Sequence, residues 1–353
     1  MNLNILGYGR RLSIVILAIM MVAVAACSCT VPPATGSGST TTSSTTTSST
    51  TTSSTLPEST TWEFSLKVGV PSELVTKYGG EAAIRTKVEQ QVAYANSRYA
   101  GFAKPIKWHI NEFYVFTGAA LDQLATPYYS DYQLLYSENT AFDDGGWKPQ
   151  TKSIVIRWTP MSGGVFGPYG GDSLVHELGH TRGAIDMYGL NVNGANNPVN
   201  GQGYVPEGGF MTYPYGAAAF DSYSTNIINA SKDEVYNDDH VVRESIPTVK
   251  VYATKNGAPV NGARVELFGS SWFSGSVNGY PSQTGSTTNG TWTIPSNPFE
   301  ANPWTYWQLS YPLLLVRVTS GASVGYGWLT LPDAGNWFFS HPGEAYQLTI
   351  NLA

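Results

Sequence analysis

Between residues 36 and 55 the chain contains nothing but Gly, Ser and Thr, with the unit Thr-Thr-Thr-Ser-Ser recurring. Such a tract has no apolar surface to bury and cannot offset the entropy of ordering, so it reads as a flexible or O-glycosylated stalk. With its flanks it forms a Ser/Thr-rich disordered tether over 27–61, and any fold must be built from the residues beyond it. Both cysteines, Cys27 and Cys29, precede the tract. No disulfide framework can therefore staple the body, and its stability has to come from buried apolar side chains. The whole chain is 12% charged against 42% apolar with a formal net charge of −6, which excludes a basic nucleic-acid binder.

Arg10 and Arg11 precede a largely apolar run from Leu12 to Ala26. The run is shorter than the about 20 residues of a membrane span and reads as an export signal over 1–26. It closes on Val24-Ala25-Ala26-Cys27, which resembles the lipobox of prokaryotic lipoproteins. That resemblance implies that Cys27 is lipidated and anchors the chain to a membrane. An ordinary cleaved signal and an uncleaved anchor helix are the alternatives. All three place the remainder outside the membrane, extracellular or at the cell surface.

Charge divides the body. Residues 62–246 carry 13 Lys+Arg and 20 Asp+Glu, a net of −7, whereas 247–353 carry four of each. In the acidic part Phe64, Leu66, Val68 and Val70 alternate as in a strand ending at Pro71. Ile84, Val88, Val92, Ala95 and Tyr99 recur every three or four residues as on one face of a long helix. Ile106, Trp108, Ile110, Tyr114 and Phe116 share a parity and predict another strand, as do residues 153–158. Strands interleaved with helices give an α+β or α/β sheet with helices packed on it.

Chemistry enters at residues 172–189. His176 and His180 lie four apart, so on a helix both imidazoles project from one face and can hold one metal ion. Glu177 can reach the attacking water without being a ligand. Gly183 falls where the helix must stop, because glycine takes the left-handed terminal conformation at no steric cost. The chain can then turn back and present Asp186 as a third ligand. Three protein ligands leave a fourth position open, which marks a catalytic rather than a structural zinc site.

The run His176-Glu177-Leu178-Gly179-His180-Thr181-Arg182-Gly183-Ala184-Ile185-Asp186, followed by Gly209-Phe210-Met211-Thr212-Tyr213-Pro214, resembles the metzincin metallopeptidases. Their motif is His-Glu-x-x-His-x-x-Gly-x-x-His or Asp with a downstream methionine turn. The resemblance implies a metzincin-type catalytic domain over 62–246, a twisted mixed sheet with a long helix and an active-site helix. It implies one catalytic Zn2+ on His176, His180 and Asp186, and Met211 beneath the metal. Protein or peptide substrates would be hydrolysed by metal-activated water, with Glu177 as general base. Tyr213 matches the tyrosine that astacin-like and serralysin-like branches place two residues after the methionine, where it contacts the metal or the oxyanion; a packing role beside Pro214 is the other reading. Asp186 in place of a third histidine is similar to the snapalysin-like branch. Gly163–Gly171 corresponds to the substrate-aligning edge strand, with a plain glycine-rich loop as the alternative.

Residues 247–353 read as an all-β sandwich of short alternating runs separated by Asn-Gly and Pro-rich turns. The stretch from Asn256 to Val265 resembles the opening hairpin of prealbumin-like or bacterial Ig-like modules. Its tryptophans 272, 292, 304, 307, 328 and 337 read first as packing residues, with stacking on a cell-surface glycan as the alternative use. Calcium at Asp143-Asp144 or at the Asn-rich loop finds no EF-hand spacing to support it. The expected activity is that of a secreted or surface-anchored zinc endopeptidase. The competing reading is a surface adhesin on a non-catalytic peptidase-like scaffold, against which the intact Glu177 argues.

Overall fold

The computed structural model describes residues 61–137, 146–158, 168–212, 217–232, 240–299 and 311–353. The export signal, Cys27, the tether, Asp143-Asp144 and Tyr213 lie outside the described residues. The fold is α+β. Its first half contains β1 (Trp62–Pro71), α1 (Ser72–Lys77), α2 (Glu81–Tyr99), β2 (Ile106–Phe116), β3 (Tyr132–Ser137), β4 (Gly146–Lys148), β5 (Ser153–Arg157), α3 (Pro168–Thr181), α4 (Ser222–Ala230) and α5 (His240–Glu244). The strands form one sheet in the order β2-β1-β3-β5-β4. All neighbours are parallel except β4, which runs antiparallel along the edge.

The alternating side chains of β1, the predicted face of α2 and the apolar residues Leu174, Val175 and Leu178 of α3 share one buried cluster. Two tyrosines fix the helices to each other: Tyr99 donates to the Val175 carbonyl at 2.7 Å, and Tyr94 donates to Asp172 Oδ1 at 2.5 Å. A Cβ on Gly171 would lie 2.5 Å from the Tyr94 ring, so this close approach requires glycine.

The common parity expected along β2 fails at one residue. Leu66 pairs with Ile110 but Lys67 pairs with Glu112, so Asn111 is an extra residue that reverses the faces. Ile106, Trp108 and Ile110 stay with the helices, whereas Tyr114 and Phe116 turn to the opposite face. There they join Ala120, Leu135 and Val155 in a second cluster. Of the Gly163–Gly171 stretch, residues 163–167 lie outside the described residues and Pro168–Gly171 is helical in α3; among the described residues β4 is the edge strand on this side of the sheet.

The second half contains β6 (Val249–Lys255), β7 (Ala258–Pro259), β8 (Arg264–Ser270), β9 (Gln283–Ser286), β10 (Thr291–Thr293), β11 (Leu313–Ser320), β12 (Ser323–Thr330), α6 (Leu331–Ser340) and β13 (Tyr346–Asn351). One sheet runs β10-β6-β13 with β7 hairpinned onto β6; the other runs β12-β11-β8-β9. Asn256 and Gly257 both have positive φ, the signature of the tight turn that their sequence predicts. The all-β expectation for 247–353 is corrected by α6. Thr330 caps this ten-residue helix by accepting from the Asp333 N–H at 3.0 Å, and Pro332 occupies its first turn.

Helix α6 packs on α4: Gly335 sits so close to Tyr223 that a Cβ would lie 2.3 Å from its ring, and Asn336 bonds both Asn226 and Ser222. The buried cluster of the first half continues through Val251, Leu267, Val316 and Ile350, and residues 57–353 form one compact unit. Among the described residues no helix is long and apolar enough to cross a membrane.

Asp221 starts α4. Its carboxylate accepts from the Ser224 N–H at 2.8 Å and the Ser224 hydroxyl at 2.7 Å. Burial, helped by nearby Glu207, raises its pKa against these hydrogen bonds. The folded chain therefore holds this proton more tightly than the unfolded chain, and Asp221 makes stability fall as pH rises from the ordinary carboxylate range through the raised value. Asp221→Asn keeps a capping acceptor without the charge. Thermal melts should show it gaining stability relative to the wild type between pH 3 and pH 7, whereas Asp221→Ala loses about 1–2 kcal/mol throughout.

Candidate metal centre

His176 and His180 lie one turn apart on α3, with Glu177 next to His176, and the buried Leu174, Val175 and Leu178 hold the helix in the core. The helix ends at Thr181 and Gly183 follows at φ 82°, a left-handed conformation suited to glycine. The Ala184 N–H then bonds back to the Gly179 carbonyl at 3.1 Å, closing the helix end. This reversal returns Asp186 to the histidines. Its Oδ1 lies 3.0 Å from His176 Nε2 and 3.2 Å from His180 Nε2. Among the described residues these three form the group able to hold a metal ion, with one ligand atom from each within 4.8 Å of the others.

The far side of each imidazole decides what its near side offers. His176 Nδ1 is 2.7 Å from the Phe210 carbonyl, and His180 Nδ1 is 2.8 Å from the Ala184 carbonyl. A carbonyl can only accept, so both Nδ1 atoms carry a proton, and in the neutral imidazole each Nε2 is the atom that presents a lone pair. Two lone pairs and a carboxylate oxygen thus converge on one point. Asp186 Oδ1 is buried and accepts no aligned hydrogen bond. Three converging acceptors call for a shared positive charge, and the donor set of two nitrogens and one oxygen fits a divalent metal ion.

The electrostatics carry the same demand. Burial works against a charged His180, but Asp186 outweighs it, helped by Glu177 and the Ala184 carbonyl, and pushes the imidazole up to about 9. Burial likewise opposes the charge on Asp186, and the two imidazoles beside it overcome this to hold its carboxyl well below the usual range. Glu177 Oε2 is buried without a hydrogen-bond partner and faces Gly146 at the start of the edge strand β4, where a Cβ would sit 3.9 Å away.

Met211 is fully buried against α3. A Cβ on Gly179 would lie 2.8 Å from its sulfur, so glycine within the motif makes room for the methionine. The backbone of the same turn does two further things. The Phe210 carbonyl orients His176, and the Met211 carbonyl accepts from the Met187 N–H at 2.9 Å, tying down the chain just after Asp186. Sequence reasoning placed Met211 but missed the carbonyls of Phe210 and Ala184, since main-chain acceptors leave no mark in residue identity. Two other histidines fall elsewhere: His109 is exposed on β2, and His341 stacks on Trp337 with centroids 3.6 Å apart. The Asn-rich loop spends its amides on itself. Asn197 accepts from the Val199 N–H and donates to the Gln202 carbonyl.

No protein-family model and no curated protein matches the chain. Among solved structures it is similar to one described as "Structure of a chaperone-substrate complex", at 13% identity and a TM-score of 0.32. That alignment covers 50% of this chain and 35% of the other, a likeness too slight to bear on fold or function.

Proposed function

We propose that the chain is an exported zinc endopeptidase of the metzincin kind. In this reading 62–246 is the catalytic part, 247–353 a β-sandwich accessory part, and the N-terminal segment with Cys27 the attachment to a membrane surface. The observation that carries the reading is the convergence of His176 Nε2, His180 Nε2 and Asp186 Oδ1, each imidazole locked in the ligating tautomer by a backbone carbonyl. Carbonyl-held imidazoles are the usual outer shell of a zinc site, and three ligands leave room for a fourth, exchangeable one. When bound, zinc supplies Lewis acidity, lowering the pKa of water to about 7 and polarising a carbonyl.

The remaining steps belong to the chain. Glu177 follows His176 on α3, and its Oε2 has no competing partner, so it can take the proton from the attacking water. It then delivers that proton to the departing amine, which balances the hydrolysis. Among the described residues strand β4 is the edge of the sheet beside Glu177 and can pair with an extended peptide, holding the scissile bond near the carboxylate. Tyr213 is the residue that the family pattern offers as an oxyanion partner.

The test is casein hydrolysis by the zinc-loaded chain. Activity should be lost on treatment with 1,10-phenanthroline and return when zinc is added back. Hydrolysis that persists in chain shown by mass spectrometry to be metal-free would overturn the reading.

A further inference from the structure

The loop that follows Asp186 is held by the second half of the chain. Gly189 donates its N–H to the Asp186 carbonyl at 3.0 Å and accepts from the Phe273 N–H, also at 3.0 Å. Trp272 packs against Gly189, where a Cβ would be 2.6 Å from the indole. The Asn193 N–H donates to the Gly275 carbonyl and the Val277 N–H to the Asn196 carbonyl, continuing the seam. Residues 272–277 and the metal-ligand loop are therefore one built surface.

Two aromatic side chains stand out of that surface beside the ligands. Tyr188 has its ring 6.1 Å from the His176 ring and 5.4 Å from the Phe273 ring. Both are exposed, Tyr188 to 42% and Phe273 to 57%. Phe273 also has φ 56°, a left-handed conformation that costs a bulky L-residue free energy and is kept only where the surroundings impose it. The three backbone hydrogen bonds of the seam impose it here. An exposed phenylalanine in an unfavourable backbone conformation, paired with a tyrosine next to a metal ligand, calls for an occupant.

Resting on the peptidase reading, we propose that Tyr188 and Phe273 form a specificity subsite for a large apolar or aromatic side chain of the peptide substrate, with Phe273 contributed by the second half of the chain. An extended peptide advances about 3.3–3.6 Å per residue. The pair therefore lies within reach of a residue one or two positions from a scissile bond held at the metal centre. Ring faces and edges pack against aromatic or aliphatic side chains, and a carboxylate finds no hydrogen-bond donor on the Phe273 ring.

The test uses the full chain loaded with zinc and a fluorogenic peptide library in which one position at a time is Ala, Leu or Phe. The wild type should prefer Phe or Leu over Ala at one position flanking the cleaved bond by about tenfold or more in kcat/KM. Phe273→Asn removes the ring yet suits the left-handed backbone, since asparagine tolerates that conformation. It should cut the Phe-to-Ala ratio to about threefold or less with one zinc still bound per chain, and Phe273→Tyr should restore the ratio. A Phe273→Asn chain that keeps the wild-type ratio, or that loses its zinc, overturns the subsite while leaving the peptidase reading intact. A zinc-loaded wild type that cleaves no peptide of the library overturns both.

Discussion

Glu177→Gln is expected to lower kcat for peptide hydrolysis by about 10²–10⁴-fold and to leave zinc content and melting temperature where they are in the wild type. The split follows from geometry. Glutamine has the shape of glutamate but its amide cannot take up a proton, so only the transfer step is lost. Glu177 Oε2 makes no hydrogen bond that the substitution could break. The converging acceptors belong to His176, His180 and Asp186, so the ligand set stays complete. Steady-state kinetics on one fluorogenic peptide, with zinc measured on the same sample by mass spectrometry, decides the matter. A variant within tenfold of the wild-type kcat would remove Glu177 as the base, and one that had lost zinc would make it part of the metal-binding structure instead.

The parts of this site that could be read from residues are those where spacing alone fixes direction. Histidines four apart on a helix must share a face, and a glycine three residues later suits the left-handed turn that ends the helix, so the approach of Asp186 is legible from local geometry. The face of α2 and the strand β1 were equally legible, because each buries one side only. Strand β3 was not. All six of its residues are buried, as befits a central parallel strand covered on both faces, so it shows no alternation. The parity of β2 misled because one extra residue, Asn111, cannot be told from its neighbours in sequence.

Helix α6 is a different case. Thr330, Pro332 and Asp333 are ordinary helix-start signals, and the run of β-type segments around them masked the start. The seam between Gly189 and Phe273 joins residues 84 apart in sequence through backbone groups and the missing side chain of a glycine. Charge bookkeeping made 62–246 and 247–353 look like separate bodies. Yet α6 rests on α4, and Trp272 rests on the ligand loop. The second half thus helps to hold the loop that carries Asp186 as well as following it in the chain.

Zinc is expected to raise the melting temperature of the chain by on the order of 10 °C when its free concentration exceeds the dissociation constant about a thousandfold, and Asp186→Ala should abolish the rise. A ligand that binds only the folded state at that excess contributes about 4 kcal/mol, and in a body of this size each kcal/mol moves the midpoint by about 2–4 °C. Here the gain has a structural origin. Folding brings His176 Nε2, His180 Nε2 and a carboxylate oxygen of Asp186 to within 4.8 Å of one another, and a zinc ion can engage all three at once. Asp186→Ala removes the only anionic ligand and leaves two imidazoles, too few for tight binding. Asp186→His returns a third donor of the other kind the motif allows and should recover most of the zinc-dependent shift. Melting curves with zinc and with chelator, recorded for the three proteins at pH 7.5, separate the outcomes. Equal midpoints with and without zinc in the wild type would show that the folded chain binds no zinc, and a full zinc-dependent rise in Asp186→Ala would show that the ion is held elsewhere.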